Sequence, residues 1–379
     1  MTDQPIKVLH VVHWPVSGIT SLLGGLIPLI TAEGVNCHIL FFYHDADTVA
    51  DFARICRTAH SLDLSRSYAR GLRHYAGFIK TIAPDILHTH SFQPLVWGSL
   101  LNRRGGRHVT TVHSNYPYFT KRTAKSLVKK STERFFIRQC GIRTIAVGKV
   151  VYALLGELGV PRHNLSLIEN GVDVNAYEGV MESRPAARRE LGIENDQFVF
   201  ATLGRLDIGT KGYDILLQAF RGICDRHGRK VLLMFIGDGP DRSRLEEMAQ
   251  RYGVSPQVKF IGYKKDPVSY LCAGDAYVCS SVIEGFGLAT AEAMLCGLPV
   301  IATRVGANPE MITHGISGIL IEPGDPEAIT SAMSDFVSRR YPLEDMAQRG
   351  KRQVAGKYDI RNTAAAYVKL YKSMMEPPG

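Results

Sequence analysis

Short apolar runs alternate with helix-length segments along nearly the whole chain. In the first half the runs predict strands at Lys7–Trp14, Asn36–Tyr43, Asp85–His90, His108–His113, Arg143–Gly148 and Leu165–Asn170. Helical patterns fall between them at Ser21–Glu33, Tyr68–Ile82, Lys121–Gln139 and Val151–Leu158. Compact apolar strands separated by helices are the signature of βαβ units on a parallel sheet buried on both faces. A turn-rich, charged stretch over 171–197 interrupts this alternation and marks a domain boundary. The pattern then restarts at Phe198–Arg205, Val231–Gly237, Val258–Tyr263, Ala276–Ser281, Pro299–Val305 and Gly318–Ile321. The expected architecture is α/β: two doubly wound domains facing a central cleft, at 1–175 and 176–358. A last helix over 359–379 is placed to cross back to the first domain.

Composition narrows the class. The chain has 379 residues, 45% hydrophobic and 21% charged, which suits two globular domains and excludes a disordered chain. No apolar stretch approaches the length of a bilayer-spanning helix. The first residues carry neither a basic region nor a small-residue cleavage site, so no signal peptide is expected. Seven scattered cysteines with no C-x-x-C spacing read as reduced thiols, and the expected location is cytoplasmic. The net charge of +9 is unevenly spread: through Asn175 there are 20 Lys and Arg against 11 Asp and Glu, whereas the remainder is balanced. A basic half suits an anionic partner or substrate, although a solubility bias would look the same.

In parallel sheets, ligands bind beyond the carboxyl ends of the strands. The residues there include His13 to Gly18, His90, His113, Asn170-Gly171, Gly204-Arg205, Gly237-Asp238-Gly239, Gly262-Tyr263 and Ser281 to Gly287. The sharpest group is Glu284-Gly285-Phe286-Gly287-Leu288-Ala289-Thr290-Ala291-Glu292. Its glycines let backbone approach a ligand. The helix that follows offers unpaired N–H groups and a positive dipole end to a phosphate. Arg205 and Lys211 flank another strand end of the same domain, placed to clamp a diphosphate.

With Asn170-Gly171-Val172-Asp173, Gly237-Asp238-Gly239-Pro240 and Gly297-Leu298-Pro299-Val300-Ile301, these residues give the chain a resemblance over essentially its whole length. It resembles the retaining glycosyltransferases of family four, which have the two-Rossmann-domain GT-B architecture and a paired glutamate at E-x7-E spacing. The resemblance implies diphosphate contacts from Arg205 and Lys211, and Glu284 facing the transferred sugar. It also implies Glu292 on the ribose, backbone contacts around Gly287, Leu288 and Ala289, and the base against the turn at Tyr263. His113 would reach the sugar from the first domain. Gly204, Gly237 and Phe286 complete the expected donor site. Relatives often carry paired glycines soon after the first strand. Here Pro15-Val16-Ser17-Gly18 stands there, with Gly24-Gly25 further on, so Gly18 is the expected contact.

Other signals are weaker. His88-Thr89-His90 has the spacing of two metal ligands on one strand face, but no third ligand stands at a matching spacing. Neither a metal nor a cofactor is expected. Gly237 to Arg242 lacks the third glycine of a dinucleotide fingerprint and reads as a turn capping a helix from Asp241. Phe119 to Ile137 interleaves Lys121, Arg122, Lys125, Lys129, Lys130 and Arg134 with apolar residues. That pattern suits an anionic membrane surface, and equally a solvated helix. Nucleic acid is not an expected partner.

The expected activity is transfer of a hexose or N-acetylhexosamine from a nucleotide-diphosphate sugar to an acceptor hydroxyl. A UDP-sugar is favoured and GDP-mannose is the alternative. The resemblance implies retention, front-face attack and no bound metal. The acceptor is expected to be a glycan or lipid-linked glycan of cell-surface assembly, with the enzyme peripheral on the inner face of the cytoplasmic membrane. A soluble small-molecule acceptor, a nucleotide-sugar epimerase and a non-catalytic sugar-nucleotide-binding subunit are the competing readings.

Overall fold

The computed structural model describes residues 4–64, 68–101, 107–114, 123–139 and 141–376. The chain divides into two compact units. The first comprises 1–172 with 360–379, and the second spans 173–359.

The first unit is a seven-stranded parallel sheet. Its strands are β1 (Ile6–Val12), β2 (Val35–Phe41), β3 (Thr58–Ser61), β4 (Ile86–His90), β5 (Arg107–Val112), β6 (Arg143–Ala146) and β7 (Leu165–Leu167), in the order β3-β2-β1-β4-β5-β6-β7. The strand order reverses between β1 and β4, so a crevice opens at their carboxyl ends. Leu9, Val11, Leu40 and Leu87 form one core with Tyr75. The other face is polar for its depth. His10, His88 and His90 are fully buried there, and the hydroxyls of Tyr367 and Tyr371 from the last helix, Ile360–Met375, reach Thr111 and His88. That helix is tied to the point where the chain leaves the unit. The Ile360 N–H donates to the Val172 carbonyl at 3.0 Å, and the Thr363 hydroxyl donates to the Glu169 carbonyl at 2.9 Å.

The second unit is a six-stranded parallel sheet of β8 (Phe198–Leu203), β9 (Val231–Ile236), β10 (Val258–Gly262), β11 (Ala276–Cys279), β12 (Val300–Thr303) and β13 (Ile319–Ile321). Their order is β10-β9-β8-β11-β12-β13, so the reversal lies between β8 and β11. β9 is buried at every residue, VLLMFI, as a central parallel strand requires. Phe200, Leu217, Phe220, Leu233, Phe235 and Phe336 anchor the core.

Several elements differ from the sequence reading. β3, with the polar sequence Thr-Ala-His-Ser, and the helices Ala46–Ala53 and Phe92–Leu101 were not expected. The turn-rich stretch over 171–197 contains the helix Arg184–Glu190. Arg188 is buried in it, donating to the Ala273, Glu194 and Gln197 carbonyls and to Asp275. Buried arginine caps this region onto the second unit, which is why its charge did not mean exposure. Gly24 and Gly25 lie inside the helix Gly18–Ala32, and Gly25 leaves room for the Ile360 side chain. Six cysteines, Cys37, Cys56, Cys224, Cys272, Cys279 and Cys296, are free thiols. Among the described residues no helix is long and apolar enough to cross a membrane.

Candidate functional site

In the second unit, β8 ends at Leu203 and the chain turns through Gly204 and Arg205. A short helical turn, Ile208–Lys211, follows, capped by Asp207, whose Oδ1 accepts from the Thr210 N–H at 3.1 Å. Gly212 ends this turn in the left-handed region, at φ +60. A Cβ there would lie 2.4 Å from the Ser280 carbonyl, so only glycine lets this loop seat on the end of β11. The seat is reinforced. The Ser280 hydroxyl donates to the Lys211 carbonyl at 2.8 Å, and the Val282 and Ile283 N–H groups donate to the Thr210 carbonyl at 2.9 and 3.1 Å.

The two loops therefore deliver their side chains to one place. Lys211 Nζ forms an ion pair with Glu284 Oε1, and the Ser281 hydroxyl donates to the same oxygen at 2.9 Å. Burial alone would lower the lysine pKa, but the Glu284 carboxylate, with Tyr213 and Cys279, outweighs it and holds the ammonium above its usual range. Lys211 is thus a fixed cation. Arg205 is exposed on the same loop, and its side chain makes no hydrogen bond or ion pair among the described residues.

Gly237, Asp238 and Gly239 brace this loop from β9. The Leu206 N–H donates to the Asp238 carbonyl at 3.1 Å, and the Asp241 N–H donates to the Leu206 carbonyl at 3.1 Å. Asp241 stands at the N-cap of the helix Arg242–Arg251 as expected, but its side chain does not bond that helix. Its Oδ2 accepts from the Ile208 N–H at 2.8 Å, so its carboxylate orders the lysine turn instead. Tyr263, just past β10, is 60% exposed.

The Glu284 loop leads into the helix Leu288–Leu295. Gly287 stands before it at φ +100, and a Cβ there would lie 2.8 Å from Asn308 Oδ1. The half-buried Leu288 and Ala289 open the helix, where N–H groups have no intrahelical acceptor. Phe286 differs from its expected role. Its ring is 2% exposed and packs edge-on against Tyr358 at 5.2 Å, and its carbonyl accepts from the Ala307 N–H at 3.1 Å. It holds the loop's shape and offers no side-chain face to a ligand. Glu292, one helical turn inside, is bonded by the Tyr177 hydroxyl. Burial pushes its pKa up to about 7, partly offset by that hydrogen bond.

The first unit contributes a different kind of site. His113 follows β5, half-buried, with Nε2 at 3.0 Å from His90 Nδ1, and His90 Nε2 lies 3.1 Å from His10 Nδ1. His88 stacks on His90 with ring centroids 4.3 Å apart, while its own nitrogens meet Tyr371 at 2.6 Å and Thr111 at 2.7 Å. Burial lowers the pKa of His10 and of His113 to about 3, with the His38 charge adding to the effect at His10. His88 and His90 are lowered as well, by burial first, then by His10, His113 and His108 at His88 and by His88, His113 and His10 at His90. All four imidazoles are therefore neutral near pH 7. Gly18 is the first residue of its helix, with Ser17 capping from Oγ to the Thr20 N–H at 3.3 Å.

The histidine pair does have a third neighbour, contrary to expectation. His10, His88 and His90 bring ring nitrogens within 4.8 Å of one another. The register of β1 against β4 sets His10 beside His88, a proximity that spacing within one strand cannot reveal. The His88 nitrogens already meet hydroxyls, and one contact joins His10 to His90, so the described geometry is that of a hydrogen-bonded cluster. Tyr177 and Asn308 are further polar residues the sequence reading did not single out, and Ser281 stood among the strand-end residues without a role of its own. Tyr177 had no signal, lying in the turn-rich stretch over 171–197. Of the basic stretch, 119–122 lies outside the described residues, including Lys121 and Arg122, as does the Lys125 side chain.

Comparison with known proteins agrees with this geometry. The profile for Glycosyl transferases group 1 matches residues 183–353, and that for Glycosyltransferase Family 4 matches residues 6–176. A D-inositol 3-phosphate glycosyltransferase of Corynebacterium urealyticum is 32% identical over 223 residues, 56% of this chain and 52% of the relative. The chain thus spans about half the length of the first curated relatives it matches. The UDP-Gal:alpha-D-GlcNAc-diphosphoundecaprenol alpha-1,3-galactosyltransferase of Escherichia coli is 27% identical over 296 residues, 77% of this chain and 76% of the relative. Among solved structures, Anabaena HepE in complex with UDP-glucose superposes with a TM-score of 0.83 at 20% identity, over 97% of this chain and 100% of that one. Two parallel Rossmann-like units, the paired-glutamate loop beside an arginine–lysine turn, and two family profiles covering nearly the whole chain lead to one conclusion: the chain belongs to glycosyltransferase family four, on the GT-B fold.

Proposed function

We propose that the protein transfers a sugar from a nucleotide-diphosphate sugar to an acceptor hydroxyl with retention of anomeric configuration and without a bound metal. The observation that carries this is the convergence of Arg205, Lys211, Glu284 and the amino end of Leu288–Leu295 at one strand-order reversal. When the glycosidic bond breaks, negative charge gathers on the leaving diphosphate. A fixed ammonium, an unpaired guanidinium and free helix N–H groups stabilise that charge without reorganising. Glu284, held by Lys211 and Ser281, takes the sugar hydroxyls, and Glu292 takes the ribose. His113 is assigned a sugar contact on the family resemblance alone. The leaving phosphate, not a protein carboxylate, accepts the acceptor's proton.

A UDP-sugar is the donor we favour, in line with the UDP-sugars named for the Escherichia coli relative and the Anabaena structure. Donor binding should raise the melting temperature in proportion to RT ln(1 + [L]/Kd). A shift with UDP-sugars that exceeds those with GDP-, ADP- and dTDP-sugars supports the assignment, whereas a shift with GDP-mannose alone overturns it.

The acceptor we favour is lipid-linked. Leu127, Val128 and Phe135 are 54, 66 and 57% exposed on the helix Ala124–Gln139, which also carries Lys129, Lys130, Arg134 and Arg138. Exposed apolar residues among cations suit an anionic leaflet. The Escherichia coli relative, named for a diphosphoundecaprenol acceptor, accords with this. Co-sedimentation with anionic vesicles should fall with salt and with Leu127→Ser and Phe135→Ser. Equal recovery in the supernatant throughout would favour a soluble acceptor.

A further inference from the structure

We propose that His90, backed by His10, is a positioning residue that fixes His113 as the tautomer bearing its proton on Nδ1, so that His113 meets its ligand as a hydrogen-bond donor. The role in transfer rests on the reading of His113 as a sugar contact; the tautomer itself is a property of the unliganded protein.

The inference follows from counting protons along the chain. A neutral imidazole has one N–H and one bare nitrogen. His113 Nε2 faces His90 Nδ1 at 3.0 Å, and His90 Nε2 faces His10 Nδ1 at 3.1 Å. Each contact needs one proton, so only two polarities are open. If His113 donates to His90 and His90 to His10, then His10 must carry its proton on Nε2. That atom is buried and no protein group bonds it, which would leave an orphaned N–H. If instead His10 donates to His90 and His90 donates to His113, His10 Nε2 is merely a bare acceptor. Orphaned buried N–H groups are rarer than under-satisfied acceptors, so the second polarity holds. It leaves the His113 proton on Nδ1, the nitrogen with no protein partner among the described residues.

His88 does not redirect the chain. It stacks on His90, but its nitrogens are taken by Tyr371 and Thr111. The ligand atom opposite His113 is therefore an acceptor oxygen, such as a sugar hydroxyl.

The test is the tautomer of His113 in the unliganded protein at pH 7, read from long-range proton–nitrogen correlations on imidazole-labelled full chain, with His113→Gln giving the assignment. We expect the Nδ1–H form. His90→Leu should leave a mixture of tautomers and lower kcat/KM for donor roughly ten- to hundredfold. His90→Asn places an amide donor where Nδ1 stood and should restore both readouts in large part, a rescue that packing alone does not provide. An Nε2–H or protonated His113 in the wild type overturns the proposal, even if His90→Leu fails to fold. Wild-type tautomer and activity in a folded His90→Leu overturn it too. An Nδ1–H His113 in a protein that turns over no sugar nucleotide would support the tautomer assignment and count against the transferase reading alone.

Discussion

The two units solve the same problem with opposite electrostatics. Both are parallel sheets whose strand order reverses once, and both gather polar residues at that reversal. The first unit fills it with imidazoles kept neutral by burial. The second fills it with an ion pair, an open arginine and a carboxyl group balanced near neutrality. Neutral donors recognise sugar hydroxyls without attracting competing ions. Fixed cations are suited to the charge that develops on a leaving diphosphate. The strand-order reversal determines where polar residues converge, while burial and charged partners together decide whether they carry charge.

Acid should separate the units most strongly. His10, His108 and His113 have folded pKa values of about 3, below the ordinary 6.5, and His88 and His90 are lowered as well. The folded state binds fewer protons, so their contribution is complete above pH 6.5 and is lost as pH falls toward 3. The linkage is roughly 1.4 kcal/mol per pH unit for each histidine in that window. Hydrogen exchange at pH 7 and pH 5 should show β1, β4 and β5 losing more protection than β8 and β11. Uniform loss would break the contrast.

Removing charge from the second unit comes next. Arg205→Ala and Lys211→Ala should each lower kcat/KM by roughly 2–4 kcal/mol of transition-state stabilisation. Near-wild-type steady-state turnover in both would remove the cation account. Gly212→Ala should cost roughly 1–3 kcal/mol of stability, measured by denaturant unfolding, because its left-handed backbone lies against the Ser280 carbonyl. An unchanged midpoint would mean the two loops part easily.

The smallest effect concerns Glu292. Its folded pKa of about 7 lies above the ordinary 4.5. Its cost to stability is absent below pH 4.5, grows as pH rises to 7 and is full above it, opposite in sign to the histidines. Ribose hydroxyls would favour the carboxylate, so donor binding near pH 7 should release a fraction of a proton. Calorimetry in buffers of different ionisation enthalpy would detect this, and Glu292→Gln should abolish the difference.

Much of this candidate site is legible in the sequence. Apolar strand runs located the strand ends, and Glu284, Glu292, Arg205, Lys211 and His113 all stand just beyond or near them. What was hidden came from contacts between distant segments. The pairing of Lys211 with Glu284 depends on β8 lying beside β11, and the approach of His10 to His90 depends on β1 lying beside β4. Phe286 was misjudged because a motif position reveals no side-chain direction. Arg188 drew no reading of its own because charge normally signals exposure, yet here the Ala273, Glu194 and Gln197 carbonyls and Asp275 satisfy it.

The central claim is retaining sugar transfer from a nucleotide-diphosphate donor. Proton NMR of product at first appearance, from an α-linked UDP-hexose and a polyprenyl-diphosphate sugar acceptor, tests it most directly. The account predicts an α-linked product in the wild type and little product with Lys211→Ala or Glu284→Gln. A β-linked product, or consumption of donor to an epimer with no sugar on the acceptor, would contradict it.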